Sequence, residues 1–113
     1  MPYISTITNI SVSKEQELQL KSGYAKAVSV IGKGENYLML GFQPNVSMYF
    51  AGDDKESMAF VEVKFFGTST SDKLSRLTAE ICKLLSNVLS ISPTKIYVKY
   101  EEVKNWGWSG YNF

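Results

Sequence analysis

The order of apolar segments constrains the fold of this chain more than any other feature of its sequence. A strand-like segment, a long helical segment and a second strand-like segment occur in that order in each half. The predicted strands are 2–10, 36–44, 58–66 and 95–103, with a short strand around 47–50. The first predicted helix is 14–31, and the second follows the loop 67–72 and ends at about 89. A helical crossover between two strands favours parallel pairing, so each half predicts one β-α-β unit.

The two helices are predicted from their ends as well as from their periodicity. Ser13 and Gln16 have the spacing of a capping box, and Gly32 follows the last helical position, where glycine accepts the left-handed conformation. In the second helix, apolar residues recur three or four positions apart from Leu74 to Val88, the strongest periodic signal in the chain. Both helices are therefore expected to bury one face.

These segments predict an α+β fold, a four-stranded sheet with two helices packed on one face, in a single domain over residues 1–113. The near-continuous apolar run at 58–66 indicates a central strand. The opposite face of the sheet stays open, and the C-terminal segment adds Trp106, Trp108, Tyr111 and Phe113. We therefore expect an oligomer, because apolar surface of this extent marks contacts between proteins.

Composition and charge argue against several classes of function. The net charge is +1 and no run of Lys or Arg occurs, so nucleic-acid binding is not expected. No stretch approaches about 18 apolar residues, and the N-terminus lacks the features of a signal peptide, so we expect no membrane insertion and a cytoplasmic location. Cys82 is the one cysteine and histidine is absent, which removes intrachain disulfides, Ser-His and Cys-His catalysis and most zinc sites.

Pro2 is the first candidate for chemistry. Removal of the initiator methionine would leave its nitrogen as the only free secondary amine in the protein. Burial and a nearby cation both disfavour the charged form of an amine, and a neutral amine in an apolar pocket is a competent general base. The alternative is that Pro2 merely starts an edge strand, where a missing N–H costs nothing, and the pattern alone favours this alternative.

Lys33, at the end of the first predicted helix, is the second candidate. Its ammonium group can hold an anionic substrate and lower the pKa of a neighbouring amine, or it can interact with the helix C-terminus, which is the commoner role. The remaining candidates are aromatic residues that by default belong to a core or an interface: Tyr37, Tyr97, Trp106, Trp108 and Phe113. Spacing alone thus favours structural roles for all of these residues.

Several segments together resemble the macrophage migration inhibitory factor family. They are MPYI at the start, Gly32-Lys33, Tyr37, SMYFAG at 47–52, SISPTKIYVKY at 90–100 and Gly107-Trp108 near the C-terminus. The resemblance covers essentially the whole chain. It implies the tautomerase fold, a homotrimer whose sheets form a central barrel-like core surrounded by helices, which agrees with the repeated β-α-β unit and the expected oligomer.

The resemblance also implies a function. Members of the family are keto–enol tautomerases of phenylpyruvates, and many isomerise dopachrome analogues, so the expected substrate is a small aromatic keto acid and no cofactor or metal is expected. Pro2 is implied to be the catalytic base, and Lys33 to bind the substrate carboxylate or carbonyl. The implied substrate-binding residues are Tyr3, Tyr37, Phe66, Tyr97, Lys99, Trp106, Trp108 and Phe113, with Tyr97 supplied by the adjacent subunit.

Several positions depart from the family pattern. Lys99 stands where the vertebrate protein has an asparagine; lysine donates hydrogen bonds but cannot accept them, and it adds positive charge near the pocket mouth. Trp106 and Phe66 replace smaller apolar residues, which predicts a narrower pocket, and Tyr3 replaces a methionine beside the proline. Residues 57–60 replace a Cys-x-x-Cys motif, so no thiol oxidoreductase activity is expected.

Two further interpretations remain open. One is a secreted, cytokine-like signal, released by a route that needs no signal peptide, that binds a cell-surface receptor and whose tautomerase site is secondary. The other is a trimer with a vestigial site, whose true substrate or partner is unrelated to this chemistry.

Overall fold

The structure, a computed structural model that describes residues 1–113, contains one four-stranded sheet, two long helices and a C-terminal hairpin. The sheet consists of β1 (Pro2–Thr8), β2 (Met39–Gln43), β3 (Ala59–Phe66) and β4 (Ile96–Val103), and the helices are α1 (Lys14–Ala27) and α2 (Ser71–Leu89). The hairpin is formed by β5 (Gly107–Trp108) and β6 (Tyr111–Asn112). Short 3₁₀ helices lie at Val28–Ile31, Glu35–Tyr37 and Pro93–Lys95.

The strand order β2-β1-β3-β4 confirms the two predicted β-α-β units. β1 pairs with β2 in parallel and β3 pairs with β4 in parallel, while β1 and β3 are antiparallel. The antiparallel register sets Pro2 opposite Phe65 and Thr8 opposite Ala59. β3 is flanked on both sides, as its apolar run predicts. The sheet therefore carries the N-terminus to the end of β3 where Phe65 and Phe66 lie.

Both helices begin and end as the sequence predicts. The Gln16 N–H donates to the Ser13 hydroxyl at 3.1 Å and the Ser13 N–H donates to the Gln16 side-chain carbonyl at 2.9 Å, which completes the capping box. The Thr70 hydroxyl caps α2 by accepting from the Lys73 N–H. The first predicted helix is α-helical to Ala27 and continues as a 3₁₀ turn to Ile31, where Gly32 ends it with φ 74°.

The core lies between the sheet and the two helices. Alternate residues of β3, from Ala59 to Phe65, are buried against it, and the other residues of this strand face the open side. The helices contribute the buried side chains Leu20 and Tyr24 from α1, and Leu77, Ile81, Leu85 and Leu89 from α2. Each such aliphatic side chain stabilises the fold by about 1.5–3 kcal/mol, so both helices are held by their apolar faces. Cys82 is half-buried and packs against this core, and burial raises the pKa of its thiol.

The open face of the sheet is less apolar than the run at 58–66 suggests. Its centre carries a network of charges in which the Lys99 ammonium lies 3.1 Å from the Glu101 carboxylate and 3.9 Å from that of Glu62. Lys64 lies 3.8 Å from the same Glu62 carboxylate. Aromatic side chains are confined to the ends of this face, so the expectation of extensive apolar surface there is only partly met.

Two local predictions differ from the structure, and one element of the structure has no counterpart among the predictions. The short strand around 47–50 is absent; only an isolated bridge joins Phe50 to Asp53, because Ala51 and Gly52 have positive φ and reverse the chain at once. The segment 36–44 begins with a 3₁₀ turn, and only Met39–Gln43 is a strand. The C-terminal hairpin is the element that the sequence pattern does not predict. None of the helices is both long and apolar enough to cross a membrane.

Candidate active site

Pro2 is the buried first residue of β1, at one end of an interior strand. It pairs only with Phe65 of β3, because the pairing between β1 and β2 starts at Tyr3 and Met39. The edge-strand interpretation of Pro2 is therefore wrong, since β1 has a neighbour on each side. The missing N–H is tolerated here because a strand accepts proline at its first position.

A cleft of about 310 Å³ opens at the end of β1 that carries Pro2. Among the predicted site residues, it brings together Pro2, Tyr3, Tyr37, Trp106 and Trp108. The other lining residues, which the sequence did not identify, are Met1, Asn36, Leu38, Met39 and Gly107. Met39 had a usable signal, because parallel pairing of the first two strands sets it beside Tyr3. No such signal marks Asn36, which lies in a 3₁₀ turn.

The C-terminal hairpin builds the aromatic wall of the cleft. The Trp108 ring meets Tyr37 edge to face at 5.8 Å and stacks on Phe113 at 6.4 Å with an interplanar angle of 7°. Phe113 in turn lies 5.6 Å from Phe66, and its N–H donates to the Trp106 carbonyl at 3.1 Å. Phe66 and Phe113 thus border the cleft through direct ring contacts, although neither lines it.

The Tyr3 side chain lies over Gly41, which is two positions beyond its pairing partner Met39 on β2. A Cβ atom on Gly41 would lie 2.6 Å from the Tyr3 hydroxyl oxygen, which is closer than real Cβ contacts come. The Tyr3 side chain therefore extends across β2 and lines the cleft beside Met39. A side chain at position 41 would push the Tyr3 ring out of this place.

Lys33 lies next to the cleft and is held by β3. Its ammonium group donates to the Phe66 carbonyl at 3.1 Å and lies 5.9 Å from the centre of the Phe65 ring. The side chain is thus committed to the end of β3, and not to the last carbonyls of the helix that precedes it. The interpretation of Lys33 as a helix C-terminal cation is wrong for this reason.

The amino terminus lies in the cleft within the field of Lys33. Burial and, next, the positive charge of Lys33 hold the pKa of the Met1 amino group below its ordinary value. The Met1 carbonyl accepts a hydrogen bond from the Phe66 N–H at 3.2 Å. The fold therefore brings together an amine of lowered pKa, a lysine cation and an aromatic wall.

Two predicted site residues lie apart from this cleft within the chain. Tyr97 is opposite Phe60, five positions from Phe65, so along the strand it is about 16 Å from the level of Pro2. Lys99 is exposed on the open face, and its hydrogen bond with Glu101 raises the pKa of its ammonium group. Its positive charge is balanced by Glu101 and Glu62.

A second, larger concavity has a different character. A groove of about 560 Å³ lies between the two helices. Its lining contains Lys26, Lys83 and Glu80 among small and aliphatic residues, and no aromatic residue. The smaller cleft at Pro2 is the better candidate, because aromatic surface with a few convergent polar groups is typical of small-molecule sites.

The paired β-α-β units and an amino terminus that lies in an aromatic cleft define a protein of the tautomerase superfamily. The family model described as Macrophage migration inhibitory factor (MIF) matches residues 1–113. The chain belongs to the macrophage migration inhibitory factor family. The resemblance found in the sequence is thereby confirmed.

Known members of the family match all or nearly all of the chain at modest identity. Macrophage migration inhibitory factor of Meriones unguiculatus is 27% identical, with 100% of this chain and 99% of that protein covered. The crystal structure of Leishmania major MIF2 superposes with a TM-score of 0.94 at 28% identity and covers 100% of this chain and 97% of that one. The homologue from Prochlorococcus marinus gives a TM-score of 0.89 at 26% identity over 98% of each chain.

A more distant structural relative shares the fold alone. The relative is a fused 4-OT symmetric trimer. It superposes with a TM-score of 0.86 at 16% identity, over 97% of the present chain and 94% of the relative's chain.

Proposed function

We propose that this protein is a keto–enol tautomerase of phenylpyruvate, and that dopachrome isomerisation is a related activity of the same site. Membership of the family supports isomerase chemistry in general. One observation carries the specific proposal: the amino terminus lies in an aromatic cleft, where burial and Lys33 lower the pKa of its amino group.

The proposed base is the nitrogen of Pro2 after removal of Met1. This nitrogen would take the place of the present amino terminus at the cleft, and we expect burial and Lys33 to favour its neutral form in the same way. The neutral amine takes the proton on the carbon next to the ketone, and the electron pair of that C–H bond forms the enolate. The proline ammonium then returns the proton to the enolate oxygen, which completes the conversion to the enol.

Lys33 and the Phe66 backbone are the proposed partners of the substrate oxygens. A lysine ammonium has three donors, and one of them is bonded to the Phe66 carbonyl, so the others are free to bind a carboxylate or a developing oxyanion. Loss of Met1 also removes the carbonyl that now accepts from the Phe66 N–H, which makes this donor available to substrate. Donors aimed at the enolate stabilise it more than the ketone and so accelerate the reaction.

The aromatic wall is the proposed binding surface for the aryl ring. Tyr3, Tyr37, Trp106 and Trp108 line the cleft, and Phe113 extends the wall by stacking on Trp108. We propose that the wall is completed by Tyr97 of an adjacent subunit in a homotrimer. The exposed position of Tyr97, remote from the Pro2 cleft of its own chain, supports this arrangement.

Lys99 is the weakest of the proposed substrate-binding residues. Its ammonium group is paired with Glu101 and Glu62, so its charge is less available to attract an anionic substrate than the sequence suggests. We propose that Lys99 lies near the mouth of the pocket, on the same strand as Tyr97. Its replacement by methionine is expected to change substrate affinity less than replacement of Lys33.

The test is the enol–keto conversion of phenylpyruvate, followed by absorbance, with protein whose intact mass establishes the loss of Met1. We expect saturable turnover that is abolished by Pro2→Gly and by an added residue that blocks removal of Met1. Undiminished activity in either variant would contradict the proline mechanism. No turnover by the Met1-free protein would contradict the function and favour a vestigial site.

A second candidate function is a secreted signal that binds a cell-surface receptor, released by a route that needs no signal peptide. The support for it is that rodent relatives, including that of Mus musculus at 26% identity, bear the name macrophage migration inhibitory factor. Receptor binding that persists when Pro2 is chemically blocked would favour this candidate. Binding that requires an open cleft would instead tie any signalling to the tautomerase site.

For the tautomerase proposed first, we propose a cytoplasmic location. Fractionation of the cells tests this location.

A further inference from the structure

A second aromatic cluster, here called the far cluster, lies at the end of the sheet opposite Pro2. It consists of the rings of Phe50, Phe60 and Tyr97 together with the ammonium group of Lys95. The Tyr97 ring lies 5.1 Å from Phe50 and 6.5 Å from Phe60, the latter edge to face. Tyr97 is nevertheless 59% exposed, so these contacts orient the ring without burying it.

Phe50 is itself fixed from two sides. Its N–H donates to the Asp53 carbonyl and its carbonyl accepts from the Asp53 N–H, at 2.9 and 3.0 Å. Ala51 and Gly52 between them have φ of 52° and 81°, the positive values that a type I′ turn requires. This tight turn defines the backbone of Phe50 more closely than a flexible loop would.

The other restraint on Phe50 is a cation. The Lys95 ammonium lies 5.0 Å from the centre of the Phe50 ring, and 3.5 Å from the Glu56 carboxylate. Only 20% of the Lys95 side chain is exposed, in contrast to the other lysines of the exposed ion pairs. A cation over an aromatic face is attracted by the ring quadrupole, so Lys95 and Glu56 together hold Phe50 against Tyr97.

We propose that Phe50 is a positioning residue, which sets the Tyr97 ring at the angle needed to close the aromatic cleft of the neighbouring subunit. This inference rests on the proposed tautomerase function and on the trimer. Phe50 acts through Tyr97 and does not touch substrate. A freely rotating Tyr97 would lose conformational entropy each time an aryl ring bound, and the far cluster removes that cost in advance.

The test compares Phe50→Leu, which removes the ring and keeps an apolar side chain, with Tyr49→Leu as a matched control. Tyr49 is adjacent to Phe50 and is 69% exposed, and the ring contacts of Tyr97 are with Phe50 and Phe60 and not with Tyr49. For Phe50→Leu we expect KM for phenylpyruvate to rise roughly three- to tenfold, which corresponds to the loss of one aromatic pair. We expect kcat to change less than about twofold. Tyr49→Leu should leave KM and kcat unchanged. Phe50→Tyr, which keeps the ring, should have the KM of the unmodified protein.

A double variant separates positioning from a general structural role. Adding Phe50→Leu to Tyr97→Leu should raise KM no further, because the ring that Phe50 orients is already gone. Sedimentation establishes that each variant keeps the oligomeric state of the unmodified protein. If Phe50→Leu fails to assemble, Lys95→Met takes its place, with an expected rise in KM of about twofold.

The outcomes are distinct. An unchanged KM in assembled Phe50→Leu, or an equal rise in the presence and absence of the Tyr97 ring, overturns the positioning role and leaves the tautomerase proposal intact. For Lys95→Met, an unchanged KM has the same meaning. Absence of turnover in the unmodified Met1-free protein overturns both.

Discussion

Replacing Lys33 with methionine tests the contribution of its positive charge to the proposed site. The substitution removes one positive charge beside the amino terminus and keeps an unbranched chain of similar length. In the proposed complex, a charge-assisted hydrogen bond from Lys33 to the substrate is lost, which costs about 1.5–3 kcal/mol. This corresponds to a fall in kcat/KM of about 10- to 150-fold, since about 1.4 kcal/mol is one factor of ten.

The same substitution should change the pH dependence in a defined direction. Lys33 is the second cause that lowers the pKa of the amino terminus, after burial. Removing its charge therefore raises that pKa part of the way to its ordinary value, and burial accounts for what remains. Because the neutral amine is the active base, the acid limb of the kcat/KM profile should move to higher pH in Lys33→Met.

The assay is the pH profile of phenylpyruvate turnover for the unmodified protein, Lys33→Met and the control Lys26→Met. Lys26 is exposed in the last turn of α1 and makes no ion pair, so its loss should change neither the rate nor the limb. The reasoning is refuted if Lys33→Met lowers kcat/KM less than about threefold, or if its acid limb moves to lower pH.

Further predictions concern the amine, the wall and the core. In the unmodified protein, kcat/KM should be at its maximum above the pKa of the proline amine and should decline as pH falls through that pKa. This pKa should lie below the ordinary range of an amino terminus, and an acid limb whose pKa is at or above that range would contradict the assigned base. Gly41→Val should raise KM for aryl substrates, because its side chain displaces the Tyr3 ring, and unchanged kinetics would contradict that placement. Leu77→Ala should lower the free energy of unfolding by about 2–5 kcal/mol in urea denaturation, since Leu77 is fully buried, and a loss under about 1 kcal/mol would contradict its place in the core. Tyr24→Phe removes the hydroxyl bonded to Thr6 at 2.6 Å and should cost about 1–3 kcal/mol by the same measurement, whereas a neutral result would mean that Thr6 finds another partner.

Local physical chemistry made the main elements of the fold predictable. The capping box at Ser13 and Gln16 is a short-range interaction, and the structure forms it with both hydrogen bonds. The apolar spacing of the second helix, including Leu77, Ile81 and Leu85, survives in the fold because those side chains have only one core to enter. Parallel pairing followed from the length of the helical crossovers.

The elements that sequence reasoning missed are short and depend on turns. Two-residue strands carry no alternation to detect, so the C-terminal hairpin had only one signal, the Ser109-Gly110 dipeptide between Trp108 and Tyr111. Both residues of that dipeptide have positive φ, at 55° and 89°, as a tight hairpin turn requires. The β-prone residues before Phe50 predict a strand, but the structure has only an isolated bridge there, because the turn that follows ends the pairing at once.

The site was predictable in its membership more than in its geometry. Pro2, Tyr37 and Trp108 do meet in one cleft, but their residue types alone favoured structural roles. The edge-strand interpretation failed because strand order is a long-range property that one segment does not reveal. The place of Lys33 was equally hidden, since its partner is a backbone carbonyl that only the folded sheet brings near.

The distribution of exposed aromatic residues bears on where the complete site is formed. Tyr37, Trp108 and Phe113 at the cleft are each about half exposed in the chain, and Tyr97 is more exposed still at the opposite end of the sheet. An aryl ring bound in such a cleft would keep one side in water, where stacking and oxyanion stabilisation are weaker. Covering that side with an aromatic ring from another copy would both exclude water and bury the surface that each chain leaves open. The amine and the cation are thus supplied within one chain, whereas the enclosure that makes them effective is, in this proposal, a property of the assembly.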